Sequence, residues 1–286
     1  MSNLVFAGAP NRADEATLAA GSAQASLPVT NLQDRQIVKP WRTASTTPAV
    51  TWVSADFGDP QTLGVVALIR HNFSQGAQWR VRIGYDPSFA TVSYDSGWLE
   101  VWPQFEEFGA LPWGVFQWGG LVPREVAAQI TMNAYHLLPM PVVAQHLLID
   151  VDDAANPDGF LQAGRLLAGP AYQPSRDMLY GWSIGFEDPS TVSKSRGGQT
   201  WIDVQERFRV LRFTLSNLNE TEAFGNVFDY LLRRKGIAGD LLVIPRTDRP
   251  NQYHNQVIYG RLRTLEPITN PYFESYETSF EVEELL

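Results

Sequence analysis

TWVSADFGDPQTLGVVALI, residues 51–69, changes its pattern halfway along. In 51–57 the apolar Val53, Ala55 and Phe57 alternate with Trp52, Ser54 and Asp56, the two-residue period of a strand with one wet face. In 63–69 every position is apolar or glycine, as expected of a strand covered on both faces. Gly58, Asp59 and Pro60 stand between them, residue types that punctuate strands. The same grammar continues outward. In WRVRI, 79–83, Trp79, Val81 and Ile83 alternate with Arg80 and Arg82, which puts two guanidinium groups on the wet side. Residues 142–151 (VVAQHLLIDV) and 160–167 supply further strands. Strands at this spacing, separated by glycine and proline, predict a sandwich or barrel rather than βαβ units.

Composition sets the class. The 286 residues, 44% hydrophobic and 19% charged, describe a globular chain of two domains or one large β domain. A net charge of −9 argues against a nucleic-acid binder, which needs a basic face. Lys39, Lys194 and Lys235 are the only lysines, so arginine supplies most of the positive charge, in the form suited to forked ion pairs. The absence of cysteine excludes disulfides, thiolate metal sites and Cys nucleophiles. No run of about 20 apolar residues is present, so membrane insertion is not expected. The opening MSNLVFAGAP lacks the pattern of a secretory signal, which predicts folding in a cytosol.

From about residue 176 the texture changes, and a second, smaller domain is expected over 176–286 after a first over 1–175. The spacing predicts a helix over 220–235. Asn219 caps it with Glu222 three residues on, and Phe224, Val227, Phe228 and Leu231 form an apolar stripe. Arg233, Arg234 and Lys235 stand at its negative end, and Gly236 stops it. In 207–215 (RFRVLRFTL) the apolar parity switches after Val210, which predicts a β-bulge. The chain closes with Tyr276, Thr278, Phe280 and Val282 alternating with Glu277, Ser279, Glu281 and Glu283. This is a strand with an acidic face, either solvated or facing the arginines of a neighbour. Arg233, Arg234, Glu281 and Glu283 are therefore candidate subunit contacts.

Catalytic patterns are thin. GWSIG, 181–185, matches the nucleophile elbow in letters, but Phe186, Glu187, Asp188 and Pro189 cannot begin the helix that elbow requires, so Ser183 reads as a strand residue. His71, His136, His146 and His254 show no metal-pair spacing; His71, at the start of a loop, is a candidate contact residue. Asp150, Asp152, Asp153 and Asp158 in DVDDAANPDG form the densest acidic cluster, a candidate Ca²⁺ site set against a solvated turn. No other cofactor is implied. The stretch 98–123 carries Trp98, Trp102, Trp113 and Trp118, whose rings would serve a sugar platform, a protein interface or the core; spacing does not separate the three. Glu106 and Glu107 within it are the first candidates should the chain hydrolyse glycans.

Two resemblances extend this reading. Asn31 and Leu32, Trp41 and Arg42, Val53 with Asp56, Phe57 and Gly58, 63–69, His71 and Asn72, 80–83, 148–151 and 164–166 together resemble the discoidin-like, galactose-binding-like jelly-roll over about residues 25–170. The Trp-rich 98–123 departs from that compact module. Tyr180, Gly181 and Trp182, Asp188 to Ser190, 197–201, the capped helix, 258–262 and 280–284 resemble the C-terminal half of tail-tip or baseplate proteins of long-tailed bacteriophages. The likeness implies a mainly β fold, with a β-sandwich followed by a smaller β-rich domain carrying one helix. It also implies a non-enzymatic virion component, made in a bacterial cytoplasm, that contacts other tail proteins and copies of itself and presents a carbohydrate-binding module to host glycans. A free-standing lectin and a glycan hydrolase are the alternatives.

Overall fold

Residues 3–102, 133–248 and 254–286 are described by the structure, a computed structural model. They form mainly antiparallel sheets with one long helix, the fold class that the alternating patterns predict. The chain divides into two compact units: Val5–Tyr172 with Ile244–Val257, and a smaller one of Gln173–Val243 and Ile258–Leu286 with the first residues.

In the larger unit the two segments of 51–69 are one strand, Trp52–Ile69, paired along its length with a second long strand, Ala134–Asp152. Register shifts between Asp56 and Gln61 and between Leu63 and Val65 break the ladder where the glycine and proline stand. The first half pairs with Thr17–Ala20 and the second with Arg165–Gly169, so the long strand has a different second neighbour along each half. Beyond Ala134–Asp152 lie Gln78–Gly84 and then Tyr94–Glu100. Val53 and Ala55 from one half of the long strand are joined by Leu63, Val66 and Leu68 from the other. They share a single core with Trp79, Val81, Ile83, Leu147 and Ile149. The continuous run 63–69 is buried throughout, as its unbroken apolarity requires.

The smaller unit orders its strands Asp240–Ile244, Ile258–Leu262, Ser275–Glu284, Phe208–Leu218, Ser183–Glu187. Leu211, Phe213 and Leu215 face inward opposite Val282, Phe280 and Thr278, and the rings of Phe213 and Phe280 stack at 5.2 Å. The bulge expected after Val210 is absent: the ladder runs evenly from Val210 to Leu215, and its shift falls between Leu215 and Leu218. The parity switch has another cause. Both faces are covered at that end, where Arg209 is buried and forks onto Glu284.

The helix spans Thr221–Lys235 and is wound with hydrogen bonds to the fifth preceding carbonyl. Its cap forms as the sequence predicts: Asn219 Oδ1 accepts from the Glu222 N–H at 2.8 Å, and Glu222 Oε2 accepts from the Asn219 N–H at 3.5 Å. The predicted stripe is corrected. Ala223, Val227 and Leu231 are buried, whereas Phe224 and Phe228 are exposed. Wider winding brings every fourth residue onto one face and turns the two phenylalanines outward.

Candidate functional site

A row of side chains crosses the outer face of the sandwich. Four adjacent strands place Trp52 opposite Asp150, Asp150 opposite Arg80, and Arg80 opposite Trp98. Trp52 shares its parity with Ser54, opposite the buried Val53 and Ala55. A Cβ on Gly21 would collide with Trp52 Nε1, so glycine there leaves room for the indole. Arg80 and Arg82 occupy the wet side of their strand while Trp79, Val81 and Ile83 enter the core.

At the edge strand a local irregularity decides the geometry. Arg82 is opposite Asp95 and Arg80 opposite Trp98, so one extra residue is accommodated between those pairs. Residues three apart on a regular strand face opposite ways; the bulge, with Gly97 at φ 65°, lets Asp95 and Trp98 share the outer face. Trp98 is 47% exposed.

Two forked ion pairs fix the polar part of the row. Arg80 grips Asp95 through Nε at 2.8 Å and through its terminal nitrogen, and Arg82 holds Asp150 Oδ2 through Nε at 3.1 Å and NH2 at 2.7 Å. The Arg80 guanidinium holds the Asp95 carboxyl down to about 2, and the Gly97 N–H adds to the effect. With strands about 4.8 Å apart, Trp52 and Trp98 stand roughly 14 Å from each other. The result is a row with the exposed Trp98 at one end, the half-buried Trp52 toward the other, and fixed hydrogen-bonding groups between them.

The other predicted residues fall elsewhere. Trp102 is 7% exposed and donates its indole N–H to the Phe73 carbonyl at 2.9 Å, so it is a core residue and offers no ring face. Trp113, Trp118, Glu106 and Glu107 lie outside the described residues. His71 is held by its neighbours: its Nδ1 accepts from the Phe73 N–H at 3.1 Å and its ring stacks on Phe73 at 4.5 Å, and burial with the proximity of His254 pushes its pKa down to about 3.

The acidic cluster is dispersed by its partners. Asp150 belongs to Arg82; Asp152 is exposed; Asp153 accepts from the Ser74 N–H and the Asn156 amide, both at 2.8 Å; Asp158 accepts from the Asn72 amide at 2.9 Å. Among the described residues no three acidic or imidazole groups gather where they could hold a metal ion, so the candidate Ca²⁺ site is not assembled. Ser183 is an exposed residue of a strand, paired with Arg212.

The acidic face of the closing strand meets arginines of its own sheet. Glu281 pairs with Arg212 at 2.7 Å and Arg263 at 2.9 Å, and Glu283 pairs with Arg261 and Arg263, both at 3.2 Å. Glu187 joins both Arg212 and Arg263, which hold its carboxyl down to about 2, the Arg263 bond first. Glu281 and Glu283 thus find ion partners within one chain. Arg233 pairs with Asp229 one turn away; the side chain of Arg234 lies outside the described residues.

Sequence reasoning singled out Trp98 but missed Trp52 and Asp95. Trp52 was signalled by its place in the polar parity of 51–57. Asp95 was hidden, because no sequence period reports a bulge.

No family model matches the chain, and no curated protein does. Among solved structures the chain is similar to the family 32 carbohydrate-binding module of C. perfringens NanJ, determined in complex with galactose, at 13% identity over 58% of this chain and 99% of that one, with a TM-score of 0.37. It is similar to chitosan-binding module 1 of a chitosanase/glucanase from Paenibacillus sp. IK-5 at 13% identity over 56% of this chain and 98% of that one, TM-score 0.36. It is also similar to a Ruminococcus gnavus GH29 fucosidase in complex with fucose, at 11% identity over 58% of this chain and 28% of that one, TM-score 0.39.

Proposed function

We propose that this protein binds glycans without cleaving them, and that an oligosaccharide lies along the row of Trp52, Asp150, Arg80 and Trp98. The observation that carries the reading is the register that sets the exposed Trp98 and the half-buried Trp52 toward the ends of a row whose Arg80 and Asp150 are held in forked pairs with Asp95 and Arg82. Indole faces take up the C–H faces of sugar rings, and the spare N–H donors and carboxylate lone pairs of the forks meet their hydroxyls. Because the forks hold one another, the polar groups are ordered before the ligand arrives, which lowers the cost of binding.

Within the row, Arg80 and the Gly97 N–H hold Asp95 ionised, so it meets a ligand as a hydrogen-bond acceptor and not as a proton donor. A second reading, which rests on the sequence resemblance of the smaller unit alone, places this glycan-contacting face on a structural component of a phage tail tip.

Affinity electrophoresis through a panel of polysaccharides tests the proposal. The wild-type chain is retarded by at least one glycan and releases no sugar from it, and Trp98→Ala weakens retention about tenfold or more with an unchanged circular dichroism spectrum. Equal retention of the variant removes the row as the site, and sugar release by the wild type overturns the non-catalytic reading.

A further inference from the structure

Residues 191–207 are exposed without a break. Most of them form a hairpin of Thr191–Lys194 with Thr200–Asp203, a two-stranded sheet of its own. The Ser195 N–H donates to the Gln199 carbonyl at 2.9 Å and the Gly198 N–H to the Ser195 carbonyl at 3.0 Å, closing a narrow tip. Such a ribbon is marginally stable alone in water. This one also offers Val192, Trp201, Ile202 and Val204 to solvent, with Val192 directly opposite Ile202. Between Val192 and Ile202 the chain carries Lys194 and Arg196 and no acid.

The same unit holds a groove of about 480 Å³. It is lined by Tyr180, Trp182, Thr214 and Ser279, by the carboxylates of Glu266 and Glu277, and by Arg212 and Glu281, which pair with each other. Tyr180 is fully exposed. Among the described residues neither Glu266 nor Glu277 has an ion partner, and neither do Lys194 and Arg196. The hairpin is exposed along its whole length, so it does not fill the groove of its own unit.

We propose that the hairpin of one copy docks, tip first, in this groove of a second copy. Charge complementarity names the occupant: two cations on a slender tip match two carboxylates in a groove of the same chain. A guanidinium suits the place, since it forks onto a carboxylate while its face lies on an aromatic ring. Groove and hairpin are different surfaces, so the contact runs head to tail and builds a ring if the rotation closes or a filament if it does not. The contact is independent of the glycan-facing row.

Sedimentation velocity on the full chain over a concentration series tests this. The wild type self-associates, and added salt weakens it. The tip variant Lys194→Glu/Arg196→Glu and the groove variant Glu266→Lys/Glu277→Lys each associate at least about tenfold more weakly. An equimolar mixture of the two associates again, because each reversed tip meets a groove of opposite sign and so does each native one. A wild type that stays monomeric throughout overturns the proposal. So does either variant associating like the wild type, or a mixture that associates no better than the variants alone.

Discussion

Trp98 and Trp102 stand four residues apart in one aromatic stretch, yet the first is half exposed on an outer face and the second is sealed in the core. Truncating them separates their roles. Trp102→Ala empties a packed site and strands the Phe73 carbonyl, so a loss of about 3–5 kcal/mol is expected in denaturant unfolding. Trp98→Ala should cost little stability and most of the glycan affinity. Buried histidines give a second prediction. His71 is held near 3 and His254 near 4 chiefly by burial, although His254 Nε2 bonds the Asn133 carbonyl at 2.8 Å. Both are neutral in the folded unit and take up protons near 6.5 once unfolded. Stability is therefore full above about pH 6.5 and declines as pH falls through that value toward about 4 for His254 and about 3 for His71. In His71→Asn the side-chain oxygen can still accept from Phe73, and the urea midpoint should depend on pH less steeply; an unchanged slope contradicts the assignment.

The helix shows how local signals and winding part company. Its cap was legible, since Asn219 and Glu222 sit at the spacing a cap needs, and Asn219→Ala should destabilise the smaller unit by about 1 kcal/mol in urea unfolding. Its inward face was not legible, because the sequence period was read on a turn narrower than the one the backbone takes. Strands divide in the same way. Parity in 51–57 and 79–83 correctly separated core from wet residues, Trp52 and both arginines included. The join across Gly58 and Pro60 was hidden, as was the bulge beside Gly97, because each depends on the partner strand. Gly97→Val, placing a branched residue at φ 65°, should disturb the bulge and weaken glycan retention together with stability.

In the molecule as a whole, the fold class could be read from alternating and continuous apolar runs, which need only the chain's own periodicity. The site could be read only in part, because a surface row is written across four strands distant in sequence. Acidic residues misled for the same reason: Asp150, Glu281 and Glu283 looked available until the sheets brought an arginine to each. What distinguishes the platform is that its charges are already mutually held while the Trp98 indole remains exposed and that of Trp52 stays half-buried over Gly21. The most direct measurement is a titration of the full chain with a retained oligosaccharide, followed by the indole N–H resonances of its tryptophans. The signals of Trp52 and Trp98 should move together with saturation, while those of Trp41, Trp79 and Trp102 stay in place. Binding that leaves Trp52 and Trp98 unmoved, or that instead shifts Trp182, would contradict the account.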